Sequence, residues 1–229
     1  MPASPSTPSP RPALARILAT ILVALLLAAC GEPQQPTISL YRAIDHGDLD
    51  QLKRHLHWGA DINQPDANGD FPLHVAVRRG REVIVRELVR RGARLDARDA
   101  SGRTPLFVAL AEGKTQPAQV LLAAAPDEDR QALLLALVEA GVADRDSLGL
   151  LLRQGARLDA LGEGGSAALH VAVESGGLPL VRRLVEAGAD VNLPDAQGRM
   201  PLAIAEARGD REIIALLRRF GAAAPVAID

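Results

Sequence analysis

Reactive side chains are few in this chain of 229 residues. Cys30 is its single cysteine, so an internal disulfide is excluded and the thiol is left to act as a nucleophile or a covalent acceptor. Gly113-Lys114-Thr115 has the lysine and hydroxyl of a phosphate loop. That loop also needs a glycine five residues earlier, and Val108 stands there. Gly164-Gly165-Ser166-Ala167-Ala168 sets a serine among small residues, as a nucleophile elbow does, but the elbow's closing glycine is Ala168. His55 and His57 are two apart on a predicted helix and face different directions. No cysteine or acid set at ligand spacing accompanies them, so zinc is not expected. These residues predict no enzyme, no catalytic residues, no metal, no cofactor and no small-molecule substrate.

The elements that carry them are helical by composition. Aromatic residues make up 2% of the chain and Leu, Ala and Val dominate its apolar 48%, so the core must close with small and branched aliphatics, which helix-on-helix packing does readily. Beyond residue 29 the chain holds 24 basic and 28 acidic residues, a net of −4. Nucleic acid asks for a basic stripe, and this balance excludes it.

Residues 1–16 are rich in Pro and Ser and include Arg11 and Arg16; Ile17 to Ala29 is then apolar apart from Thr20. Thirteen residues are too few to span a bilayer, which takes about 20, but they suit the central region of a secretory signal. Leu27-Ala28-Ala29-Cys30 closely resembles the bacterial lipoprotein signal, an aliphatic residue and two small ones before the cysteine. The resemblance implies that the Cys30 thiol receives a diacylglycerol, that a peptidase removes residues 1–29, and that the new amino group is acylated (a palmitate-type modification). Each buried methylene contributes about 0.8 kcal/mol, and two or more acyl chains hold stably. Gly31 follows Cys30 where an aspartate would retain the protein at the inner membrane. The resemblance therefore implies anchoring in the outer membrane, facing the periplasm. Residues 30–36 then form the lipidated cysteine and a short tether with a reach of about 20 Å.

The rest of the chain is periodic. Gly-Ala pairs stand at Gly59, Gly92, Gly155, Gly188 and Gly221, at intervals of 33, 63, 33 and 33. A second marker keeps the same period: FPLHVAV from Phe71, TPLFVAL from Thr104, AALHVAV from Ala167 and MPLAIAE from Met200. With the closing GADIN, GARLD and GADVN segments, this pattern resembles the ankyrin repeat, a turn followed by two short antiparallel helices. The resemblance implies an all-α solenoid of about six stacked helix-turn-helix units with hairpin-like loops over residues 37–222, at approximately 37–67, 68–100, 101–127, 128–160, 161–196 and 197–222. Residues 223–229 are a C-terminal tail.

Each marker has a physical task. Pro72, Pro105 and Pro201 open first helices, where a missing N–H costs nothing. Leu73, Leu106, Leu169 and Leu202 are predicted in the core, and Ala76, Ala109, Ala172 and Ala205 where two helices approach closely. Gly80, Gly113 and Gly209 break the chain between helices, and Gly92, Gly155 and Gly188 end second helices. Val83, Ile84, Leu88 and Val89 are predicted to form a buried face, as are Leu180, Val181, Leu184 and Val185, and Ile213, Ile214, Leu216 and Leu217. The resemblance assigns His74 and His170 to bonding backbone and fixing a turn. At the helix starts only Thr104 offers a capping hydroxyl; Phe71, Ala167 and Met200 replace it, at about 1 kcal/mol each. The first unit is predicted as a cap with helices split at Gly47, and the last as a solvated end bearing Arg208, Arg211, Arg218 and Arg219. The fourth unit lacks the proline box. It is expected to be a helix pair with a shortened turn and a local bend, capped by Asp127 and Asp129.

Stacked units of this kind offer a long binding surface at the turn tips and along the first helices. The residues predicted to contact a partner are Asn68, Asp70, Ser101, Arg103, Gln197 and Arg199 at the tips, and Arg78, Arg79, Glu112 and Arg208 on the helices. Reversing Arg78 and Arg103 is expected to weaken binding without affecting folding. The function expected is a membrane-tethered periplasmic module that binds another envelope protein as an accessory or protective partner. An immunity protein against a toxin, an envelope hydrolase and a structural spacer are the alternatives. Cys30→Ser should leave the precursor without lipid; radioactive palmitate that still labels the variant would contradict the lipid acceptor.

Overall fold

The computed structural model describes residues 34–223. The apolar leader, Cys30 and the end of the C-terminal tail lie outside them. Twelve α-helices and no strand are found among the described residues. They are α1 (Leu40–His46), α2 (Leu49–His57), α3 (Pro72–Arg78), α4 (Glu82–Arg90), α5 (Pro105–Ala111), α6 (Thr115–Ala124), α7 (Arg130–Glu139), α8 (Arg145–Arg153), α9 (Ala168–Ser175), α10 (Leu178–Glu186), α11 (Pro201–Arg208) and α12 (Arg211–Arg219). Each odd-numbered helix pairs with the even one after it. Odd helices pack on odd and even on even, so the molecule has two parallel rows of helices.

Local chemistry sets these short elements. Pro72, Pro105 and Pro201 occupy the first turn of α3, α5 and α11. Thr104 accepts the Phe107 amide as a side-chain cap, while Phe71 and Met200 provide none. At Ala167 the reverse half of a capping box forms, the Ala167 amide donating to His170 Nδ1 at 3.3 Å. Glycines at φ of 64° (Gly80) and 84° (Gly92) end α3 and α4 in the left-handed region, where a side chain would be strained.

One continuous aliphatic core runs between the rows. Ala76, Ala109, Ala172 and Ala205 are fully buried, and Leu180, Val181, Leu184 and Val185 are buried. Val83 departs from expectation. It is 59% exposed, and the buried face of α4 is Ile84, Val85 and Leu88. The helix begins at Glu82, so Val83 stands in its first turn and faces solvent, which the i, i+4, i+5 spacing of apolar residues did not reveal. Ile214 and Val89 are only partly buried.

The fourth helix pair differs in its connections. Fourteen residues join α2 to α3, α4 to α5, α8 to α9 and α10 to α11, but only five join α6 to α7. Asp129 caps α7 by accepting the Gln131 and Ala132 amides, and Asp144 caps α8; Asp127 does not take part. The junction with the third pair gains a tie of its own, from buried Ser147 Oγ to the Leu110 carbonyl at 2.7 Å. On the other side α8 and α10 do not close up as α4 and α6 do. A cleft of about 580 Å³ remains there, lined by Arg145, Gly149, Arg153 and Arg183.

Ala172 is fully buried where α9 meets its neighbours, so Ala172→Leu should lower stability by about 1–3 kcal/mol. A chemical-denaturation curve with an unshifted midpoint would place that alanine elsewhere.

Candidate functional site

Hairpins project beside the odd row at residues 66–70, 99–103, 162–166 and 195–199. An aspartate organises three of them. Asp99 Oδ1 accepts the Ser101 and Arg103 amides at 2.9 Å each. Asp66 serves Asn68 and Asp70 in the same way, and Asp195 serves Gln197 and Arg199. Gly162 holds that place in the hairpin at 162–166, which closes through backbone bonds alone. The sequence reading missed these aspartates, although their 33-residue spacing is that of the other markers.

Each hairpin, or the segment leading into it, is also held from the preceding unit. His74 Nε2 donates to the Arg103 carbonyl at 2.9 Å and His170 Nε2 to Leu193 at 3.0 Å. Tyr41, 33 residues before His74, donates to the carbonyls of Gln64 and Asp70. Burial, with Asp66 and Asp70 nearby, pushes its phenol above the ordinary range, so it remains a donor. Gln131 of α7 does the same, donating to the Ala160 carbonyl and accepting the Arg157 amide. The equivalent position 33 residues after His74 is Phe107, and among the described residues no hairpin stands in the five-residue connection that follows its helix pair.

The charged residues predicted as partner contacts prove to be paired. Arg78 joins Asp70 on one hairpin to Asp99 on the next, with Glu112 at 3.7 Å. Arg103 pairs with Asp99 at 2.9 Å. Burial alone would raise the Asp99 carboxyl, but the Arg103 and Ser101 amides and the Arg103 guanidinium outweigh it and hold it below its usual range. The expectation that Arg78 and Arg103 can be reversed without loss of folding is therefore corrected: reversal would leave a carboxylate that is 1% exposed facing two acids. Arg199 bridges Asp195 and Glu174, Arg79 pairs with Asp45, and Arg208 with Asp210. Glu174 is the periodic equivalent of Arg78, so the same tie from helix end to next hairpin is made with its charges exchanged. Asn68, Ser101 and Gln197 stand exposed at three tips, spread along one edge.

Among the described residues, the serine and histidine singled out for catalysis do not form a nucleophile–base pair. His170 is four residues from Ser166, but both of its ring nitrogens are engaged, by the Ala167 amide and the Leu193 carbonyl. Among the described residues no group of three or more His, Cys, Asp or Glu is placed to hold a metal, and no helix is long and apolar enough to cross a membrane.

Buried His74 supplies a pH test. Burial holds its folded pKa below the ordinary 6.5, and its Nδ1 has no hydrogen-bond partner to receive a second proton. The unfolded chain therefore binds that proton more readily. The contribution to stability is complete above about pH 6.5 and is lost as pH falls through the folded value. His74→Gln keeps a donor for the Arg103 carbonyl without the titration. Its urea midpoint should fall less than that of the parent between pH 7.5 and pH 5, and equal slopes would assign the loss to another group.

Known proteins share this architecture. Two family models match, ankyrin repeats (3 copies) over residues 40–132 and ankyrin repeats (many copies) over residues 169–218. The 60 kDa lysophospholipase of Mus musculus is 36% identical over 206 residues, 86% of this chain and 31% of that protein. The potassium channel SKOR of Arabidopsis thaliana is 39% identical over 183 residues, 79% of this chain and 22% of the channel. The chain thus spans less than a third of either relative. The crystal structure of the ankyrin repeat domain of Bcl-3 superposes with a TM-score of 0.62 at 28% identity, covering 83% of this chain and 89% of that one. An ankyrin repeat domain from Acinetobacter baumannii AYE gives 0.56 at 28% identity, with 80% and 98% covered. Periodic markers, paired helices and both family models agree: the chain belongs to the ankyrin repeat family.

Proposed function

We propose that this protein is a lipid-tethered binding module of the bacterial envelope, anchored through Cys30 in the outer membrane and docking a partner protein on its periplasmic side. The observation that carries the reading is the row of hairpin tips beside the odd helices. Its buried imidazoles and paired arginines are committed to holding the tips rigid, while Asn68, Ser101 and Gln197 remain available at the edge. Rigid elements bearing exposed polar ends cost little ordering entropy on association. Ankyrin repeat proteins bind other proteins, which supports a protein as the occupant. Neutralising a toxin would use the same edge. A hydrolase reading draws on the name of the mouse relative, of which this chain spans 31%, and Ser166 has no free base beside it.

A photo-cross-linking residue placed at Ser101 or Gln197 in intact membranes should capture one protein, identified by mass spectrometry. The same residue at Arg86, on the even row, should not. Equal capture from Arg86, or none from the tips, would overturn the reading, and the captured protein's identity separates an envelope partner from a toxin.

A further inference from the structure

The gap left by the missing hairpin is lined as a site of its own. Where His74 and His170 meet a following hairpin, Phe107 meets none. It lies instead in a cavity of about 430 Å³ with Ala132, Leu133 and Ala136 of α7, rimmed by both signs of charge, Arg98 and Arg103 with Glu128 and Asp129. A second cavity, of about 820 Å³, continues along the other side of α7, past Ala132, Leu135 and Ala136 to Leu161. Leu161 is 45% exposed, one of four large apolar side chains so placed among the described residues. Helix α7 is therefore apolar toward solvent as well as toward the core.

Charge defines what would cover this surface. The second cavity is lined by Asp129, Glu139, Glu163 and Glu174, and by no basic residue. Glu174 is neutralised by Arg199, whereas Asp129, Glu139 and Glu163 have no ion pair among the described residues. The chain's own C-terminal residues 224–229 hold an acid and no base, so their charge does not match.

Resting on the protein-docking reading above, we infer that the gap between the hairpins at 99–103 and 162–166 receives a segment of the partner that combines a large apolar side chain with flanking lysine or arginine. The apolar side chain fills the space over Phe107, Ala132 and Ala136 that a hairpin covers elsewhere. The cations meet Glu139 and Glu163 at the rim, where complementary charge governs encounter and selectivity.

The test is a selection of random 12-residue peptides displayed on phage against the full chain in mild detergent, repeated on Glu139→Lys with Glu163→Lys. Both sites are exposed, and an unchanged thermal midpoint confirms folding. Selected peptides should be enriched in lysine or arginine beside Leu, Phe or Trp, bind the double variant at least about tenfold more weakly at low salt, and lose that difference as salt is raised. Leu161→Ser should weaken them too, and Asp146→Lys on the even row should not. Acidic or charge-neutral peptides, no enrichment, or undiminished binding to the double variant would overturn the inference. So would a dimer of the chain that the double variant abolishes, since a second copy would then be the occupant. If the protein captured from the tips still binds the double variant, this inference falls while the docking reading stands.

Discussion

A polar side chain on one unit, hydrogen-bonded to the backbone of the next unit's hairpin or of the segment leading into it, is the interaction that the rest of this array requires. The aliphatic core between the helix rows supplies most of the favourable free energy, but apolar burial has no direction and would tolerate neighbouring units sliding or splaying. The bonds from Tyr41, His74, Gln131 and His170 are directional, and those of His74 and His170 are fully buried, so breaking them strands a donor or a carbonyl away from water. They fix each hairpin relative to the helix before it, and through it the spacing of the tips. The ion pairs of Arg78 and Arg199 repeat the arrangement at the surface with opposite polarities. The tie is kept while residue type varies, and in the fourth pair its position varies too, since buried Leu137 stands 33 residues before His170 and Gln131 makes the bond.

The exception obeys the same rule. Phe107 occupies the tie position where the described residues carry no following hairpin, and it leaves no buried polar group unpaired. The third and fourth pairs are joined instead by Ser147, from the opposite row. Loss of a hairpin, change of the tie residue and gain of a substitute bond occur together, which makes the fourth unit a consistent local design.

Much of the fold was legible because its signals are covalent spacings. A 33-residue period in Gly-Ala pairs and Pro-Leu boxes places helix starts and stops, and these positions depend on backbone constraints that glycine and proline carry with them. The fully buried alanines followed from the same phase. Val83 was misplaced because hydrophobicity does not report which side of a helix a valine takes at its first turn. The binding edge was harder to read. Arg78, Arg103 and Arg199 look like free surface cations in the sequence, and only the fold brings them to carboxylates 4 to 25 residues distant. Asp99 and Asp195 were legible in the period but were passed over, as buried acids in a loop are unusual without such partners.

The opening between α8 and α10 bears on how this stack comes apart. In a linear array each unit borrows stability from its neighbours, so the thinnest junction sets where cooperation ends. Around the fourth pair the even row is interrupted by that cleft, and continuity toward the C-terminal units passes through α7 and its contact with α9. A glycine within α8, Gly149, further lowers the helix's own persistence. Fraying that begins at the last pair can thus halt at this seam, leaving the N-terminal hairpins assembled while the far end is open.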